Sequence, residues 1–482
     1  MDETKTAVSL FGRHEIVTPV SEITKENLVD VLTKALAVHS ENSAQIDYLY
    51  RYMRGEQPVL NRVKKVRPEI CNKVVENHAS EITLFTSGYF LGEPVTYVRR
   101  GERDKSSDEV NRLNDFMFYE DKASHDKDMA TWMAICGTGY RMVQPDKALT
   151  LPPDESPFEL DTPDPRYTFV VYYSGFGHRP VMAVRQIFIQ TGKDTADMIC
   201  AGYTESHYFE VKNGVVTKWE ANTLGLIPII EYRLNMLRMG SFEPAIPLLD
   251  AMNALASNRL DAVETFVQSF LKFKNCDLDD ERLKQFTQLG AIFLKSINGM
   301  EGDVDIISQE LNQTQTQTLV DYLYDQVLII CGMPTTTKGG ASTSDTGAAV
   351  FLRDGWSQCE ARARDTELLF KKSEKQFLRV ILKIVRDTLP EFDLSLAEIE
   401  CKFTRRQHDN LTSKAQALTT MLEAGLNPEV AVATCGLFND PMDVVAQSRE
   451  YLRKWDYKEP QEADPPVPVS PETDPKTDPE LG

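Results

Sequence analysis

Two periodicities divide the chain. Over most of its length apolar residues recur at steps of three and four, the mark of helices with one buried face. Between Tyr167 and Tyr232 they alternate or form short runs, the mark of strands. The first twenty residues follow neither pattern and read as a loose arm. Leu28, Val31, Leu32, Ala35 and Leu36 then predict a helix. Ile46, Leu49, Tyr50 and Met53 predict a second, short one that stops at Gly55. Pro68 suits a first helical turn, and Ile70, Val74, Val75, Ala79 and Ile82 share a face of a third helix ending before Gly88. Residues 89–99 read as a strand with a Gly-Glu-Pro turn inside it. Val110, Leu113, Phe116 and Met117 mark one further helix; Met129, Trp132, Met133 and Cys136 mark another, ended by Gly137. Strands are expected over residues 169–173 and 181–190. Asn213-Gly214, between two short apolar runs, is a two-residue hairpin signal.

Near Ser241 the chain turns helical again. Ser241 suits a cap, Pro244 and Pro247 suit a first turn, and Leu248, Met252, Leu255, Leu260, Val263, Phe266 and Phe270 form a stripe reaching about Lys274. About thirty helical residues make a rod of roughly 45 Å. Residues 275–305 form a smaller unit, with a short helix over 283–289, a strand over 291–294 and a turn region holding Gly299 and Gly302. A second long helix runs over 311–331 and is closed by Gly332 and Pro334. Residues 335–346 are mostly Thr, Ser and Gly, a loop by composition. A long helical pattern spans 348–388 before Pro390, and two helices follow over 411–423 and 444–452. Residues 458–482 hold seven prolines, seven acids and two lysines, a composition that builds no packed core and reads as a disordered tail. No internal repeat is visible. The fold class expected is α+β, mainly helical.

Composition narrows the chemistry. With 41% hydrophobic and 26% charged residues over 482 positions, the chain has enough apolar surface for two to four domain-sized units. No apolar run is long enough to span a bilayer, and the early acids leave no secretory h-region, so a soluble protein made in the cytosol is expected. The eight cysteines show no CxxC spacing and read as free thiols. The formal charge of −20 argues against a reader of DNA sequence, which needs a basic contact face. It fits a wall that DNA slides past, though for the charge taken alone a solvated surface that serves solubility is the plainer reading.

Candidate chemistry is sparse. The loop with Lys338 lacks the GxxxxGK pattern and lies between helices, so it is no Walker loop. Asp277, Asp279, Asp280 and Glu281 cluster, but without the glycine and terminal glutamate of a calcium loop; a solvated helix start is the plainer reading. His125, near Asp126 and Asp128, reads as a surface histidine at a helix start. No GxSxG or HExxH pattern occurs.

Three motifs carry a family resemblance by order and spacing: YRYMRGEQPVLNR from Tyr50, GYFLGEPVTYV from Gly88, and ICGTGYRMV from Ile135. LIPIIEY from Leu226, followed by PLLDAMNALASN, and then GAIFLK from Gly290 and GDVDIIS from Gly302, extend it. Together they resemble the portal proteins of tailed bacteriophages, in the class common among long-tailed phages of Gram-positive hosts. The resemblance implies a portal-like fold: an N-terminal arm and first helix (1–45), an α+β wing (46–240), a first stem helix (241–274), a small α/β clip (275–306), a second stem helix (307–332), a tunnel loop (333–346), a long kinked helix and crown (347–457), and the acidic tail (458–482). It implies a homo-oligomeric ring, usually of twelve subunits, at one vertex of the virion capsid, assembled in the host cytoplasm. Double-stranded DNA would pass through it non-specifically. Thr335, Thr336, Thr337, Lys338, Ser342, Thr343, Ser344 and Asp345 would face the channel. Asp277, Asp279, Asp280, Glu281 and Arg282 would lie on the clip that meets the motor and the adaptor. The partners implied are the terminase large subunit, a head-completion adaptor, and the major capsid and scaffolding proteins. No catalytic residue, cofactor, metal or membrane is implied. Two other readings stay open on the residues alone: a different ring-forming head–tail adaptor, and a metal-dependent nucleic-acid enzyme built on the cluster near Asp279.

Overall fold

The computed structural model describes residues 12–65, 67–100, 107–146, 154–190, 196–267, 270–274, 303–307, 313–335, 355–405, 411–438, 444–445 and 447–448. The chain divides into two compact units, residues 1–408 and 409–482.

The larger unit opens with helix α1 (Leu28–Met53). It is one helix where two were expected. No glycine or proline interrupts residues 37–45, and the polar residues that break the apolar stripe are buried with partners. His39 donates through Nε2 to the Arg166 carbonyl at 3.0 Å, and Asn42 pairs with both backbone groups of His14 at 2.8 and 2.9 Å. The apolar face of α1 covers a six-stranded sheet in the order β1-β5-β6-β7-β8-β9: β1 (Val17–Thr18), β5 (Thr168–Tyr173), β6 (Pro180–Gln190), β7 (Ala196–Tyr203), β8 (His207–Lys212) and β9 (Val215–Ala221). Among the described residues of this sheet only the β1–β5 pair is parallel. The expected hairpin is present: Asn213 and Gly214 both have positive φ, 51° and 76°, as a type I′ turn between β8 and β9 requires. Leu28, Val31, Leu32 and Ala35 pack on Phe169, Val171, Met182, Val184 and Phe209.

A second layer holds α2 (His78–Phe90), α3 (Ser107–Tyr119) and α4 (Lys122–Cys136) against a three-stranded sheet. Its order is β10-β3-β4, made of Ile229–Arg233, Thr138–Pro145 and Phe158–Asp161. Gly137 ends α4 at φ 80°, and a Cβ there would lie 2.1 Å from the Arg238 backbone, so only glycine fits between α4 and β3. Helix α2 begins ten residues later than Pro68 predicted, and of residues 89–99 only β2 (Thr96–Arg99) is strand. Strand β2 pairs with β13 (Ile399–Lys402).

Three long helices complete the unit: α5 (Ile246–Val267), α6 (Gln313–Cys331) and α7 (Trp356–Thr388). Between α5 and α6 stand β11 (Phe270–Lys274) and β12 (Asp303–Ile307). The first rod is therefore shorter than its stripe suggested, because residues 270–274 leave the helix for a strand. Helix α7 seats Phe370, Phe377, Ile381, Ile384 and Val385 in the largest core cluster, against Tyr97, Met133, Val143 and Tyr232. The smaller unit carries α8 (Leu411–Glu423), as expected, and α9 (Pro428–Cys435), a short helix that was not expected, with the Asn427 side chain capping α9 at the Glu429 amide. Of the helix expected over 444–452, one turn is described, with the Ser448 amide bonded to the Val444 carbonyl at 2.9 Å.

Candidate DNA-channel site

Helices α5 and α6 pack as a pair. Leu249 and Met252 of α5 meet Val327, Leu328 and Cys331 of α6 in one cluster with Tyr52 and Phe242. Arg259 donates to Gln317 across the pair at 2.7 Å. The pair is anchored to the layer beside it: Tyr52 donates to Asp250 at 2.9 Å, and Tyr324 donates to Glu81 at 2.8 Å.

A non-helical strap, residues 72–76, runs along α5. Its amides at 72, 74 and 76 donate to Asp261, Ser257 and Asn253, at 2.7, 3.0 and 2.8 Å. Four helical residues rise about 6.0 Å and two extended residues about 6.6 Å, so the two ladders stay in register over three rungs. This is why Pro68 starts no helix: the strap's donors are satisfied by polar side chains of α5 instead. Asp261 also takes Arg62 at 2.9 Å and Lys64 at 3.0 Å. Burial opposes its charge, but these donors outweigh it and bring the carboxyl down to about 2.

Two excursions leave the pair, and each is tied at its base. The first leaves through β11 and returns through β12, which pair antiparallel from Phe270↔Ile307 to Lys274↔Asp303. Asp277, Asp279, Asp280, Glu281 and Arg282, and the strand expected over 291–294, lie within it and outside the described residues. The second begins where α6 ends. Gly332 takes φ 70°, and the Met333 amide returns to the Leu328 carbonyl at 2.8 Å. Arg362 of α7 lies over that glycine, where a Cβ would come within 2.5 Å of its side chain, and donates to the Ile330 carbonyl at 2.8 Å. A cation is well placed there, at the negative end of the α6 dipole. Thr335 is buried at the base, and Gly355, which opens α7, lies beside it: a Cβ on Gly355 would be 3.9 Å from the Thr335 nitrogen. Thr336, Thr337, Lys338, Ser342, Thr343, Ser344 and Asp345 lie between these two residues and outside the described ones. A mainly apolar cavity of about 520 Å³ adjoins this junction, lined by Phe85, Tyr89, Met239, Ile330 and Leu369 among others. Burial pushes the thiols of Cys331 and Cys359 on its wall up to about 12, so neither is a nucleophile at neutral pH.

The three recognised motifs meet α7 and α5 rather than forming a reactive cleft. Arg141 of ICGTGYRMV is fully buried and pairs with Asp126; Lys122 reaches Asp126 at 2.7 Å and Glu374 of α7 at 3.1 Å. Tyr97 of GYFLGEPVTYV and Tyr232 of LIPIIEY both donate to Glu374. Two cations and two carboxylates balance. Burial pushes the Asp126 carboxyl up, but Arg141 and Lys122 together hold it below its usual range. Burial and the Glu374 charge keep both phenols protonated. Gln57 of YRYMRGEQPVLNR donates to Asn77 and accepts from Asn253 of α5. The sequence reading missed this cluster, though Lys122 and Asp126 at i, i+4 and an arginine amid the apolar residues of β3 are its visible trace. His125, beside it, is half-buried and bonded to Thr162 at 3.0 Å. Among the described residues no group of His, Cys, Asp or Glu has the arrangement of a metal site, and no helix is long and apolar enough to cross a membrane.

An α+β body whose ionisable core groups are locked in pairs, carrying a helix pair with two excursions tied at their bases, is the protomer of a structural connector. The chain belongs to the family described as phage portal protein, SPP1 Gp6-like, which it matches over residues 32–454. It is a portal, or head–tail connector, protein with the portal-like α+β fold; the family is structural and non-enzymatic, assembles as a ring at the capsid vertex, and is part of the virion capsid. No curated protein matches it. Solved structures similar to it include a chain from the neck of an empty GTA particle, at 13% identity and TM-score 0.45, covering 74% of this chain and 90% of that one. Another is from the virion of a native gene transfer agent particle, also at 13% and 0.45, covering 82% and 93%.

Proposed function

We propose that α5 and α6 are the stem of each subunit, that the excursion based on β11 and β12 is the clip, and that the segment between Thr335 and Gly355 is the tunnel loop. The ring has twelve subunits and serves as the channel for DNA packaging and ejection. The observation that carries this reading is the helix–strand–strand–helix order with a ladder closing its base, followed by a second loop whose ends meet. In a ring of such subunits the paired helices line the axis, one excursion projects from an end and the other points inward. The clip, with Asp277, Asp279, Asp280, Glu281 and Arg282, meets the terminase large subunit and later the head-completion adaptor, while the wing meets capsid and scaffolding proteins. A charge of −20 per copy keeps duplex phosphates off the wall, and Lys338 supplies one weak, reversible backbone contact per subunit. The ring itself performs no catalysis. Lys338→Ala is expected to change packaging yield or DNA retention while rings still form. Rings with unaltered packaging and retention would remove the loop from contact with DNA.

A further inference from the structure

We propose that the solvent face of α7 is a second contact surface for duplex DNA, outside the channel. The chain as a whole is acidic, yet Lys372, Lys375, Arg379, Lys383 and Arg386 follow one another at steps of three or four residues along this helix. At 100° per residue they fall on one narrow stripe, roughly 21 Å long. Lys372, Lys375, Arg379 and Arg386 are exposed. Lys383 is paired with Asp387, and Arg386 donates to the Leu394 carbonyl at 2.5 Å, which leaves its charge uncompensated. Lys372, Lys375 and Arg379 have no carboxylate partner among the described residues. Of the helix's acids, Glu374 is buried, Glu367 bonds Lys371 and Arg405, Glu360 bonds Arg364 and Arg405, and Asp387 is taken by Lys383, while Asp365 lies two turns before Lys372. Arg100 extends the basic surface, lining with Lys371 and Lys375 a groove of about 620 Å³ beside β13, whose one acid, Glu400, is paired with Lys402 at 3.6 Å.

The chemistry favours a duplex backbone. Steps of about 4.5–6 Å place successive cations near the spacing of phosphates, and the stripe spans the rise of about six base pairs. It has no aromatic interleaving, which a single strand would stack on, and its centre has no apolar anchor of the kind that dominates protein interfaces. The opposite face of α7 is locked in the core, so the stripe is presented rigidly.

A covalently closed circular duplex cannot thread a preassembled ring, so its binding reports the outer surface. Full-length rings are expected to retard a small closed circle at low salt. Lys372→Gln, Lys375→Gln and Arg379→Gln together should reduce the slope of log affinity against log salt by about 2.7 for each subunit in contact. Sedimentation of the variant rings checks that they still assemble. Unchanged affinity and slope in the triple variant, or no binding by the parent rings, overturns the proposal. So does displacement of stripe-dependent binding by poly-L-glutamate at equal charge with no preference for DNA, which would assign the stripe to an acidic protein face. If the chain forms no rings, the channel reading fails, while the stripe is still tested on the protomer with the same circle.

Discussion

Glu374 holds the largest unit together at a point where five elements meet. It accepts from Tyr97 and Tyr232 and faces Lys122 and Arg141, and it is wholly buried. Removing it leaves two buried cations with one carboxylate. Glu374→Ala should therefore cost about 3–5 kcal/mol, read from the midpoint of urea unfolding. A loss under about 1 kcal/mol would mean the cluster is not a structural lock. His39 gives a pH signature. Burial lowers its pKa to about 4, against the donor role it plays to Arg166. Above about pH 6.5 neither folded nor unfolded chain carries the proton. Below that the unfolded chain takes it up first, so stability falls between about 6.5 and 4, by on the order of 3 kcal/mol in full. His39→Gln should flatten the melting temperature over that window relative to the parent; parallel curves would contradict the assignment.

Among the elements, the strap along α5 shows what a sequence hides. Helical spacing from Ile70 to Ile82 is real, yet residues 72–76 are extended, because the partners that decide their conformation, Asn253, Ser257 and Asp261, lie far along the chain. The same holds for α1, where His39 and Asn42 look like a break until their buried partners are seen, and for residues 270–274, whose pairing with 303–307 is non-local. Elements set by local signals were legible: the Asn213-Gly214 turn, the Gly332 stop of α6, and the span of α8. Of the candidate site, the two helices that flank residues 335–346 were legible, and so was the family. The buried ion cluster was not, since only folding brings Lys122, Arg141 and Glu374 together. Ser257→Ala removes the acceptor for the Val74 amide and adds no bulk at this fully buried site. It is expected to cost about 1–3 kcal/mol and to speed hydrogen exchange at residues 72–76 before the rest of the unit. Exchange unchanged there would show that the strap is held by packing alone.

At the scale of the whole molecule, the protein is a scaffold: its charges are spent on holding α7 and the helix pair to the α+β body, and its two excursions are carried on that frame. Under the two proposals above, the formal charge of −20 takes two local meanings, an acidic channel wall that DNA slides past and one basic stripe where it rests. The first presupposes that many copies close around an axis with α5 and α6 toward the hole. Electron microscopy of the purified full-length protein tests this most directly. The account predicts a ring of many subunits with an open centre, the helix pair lining it; particles that remain monomeric at high concentration, or rings with α5 and α6 on the outer rim, would contradict it.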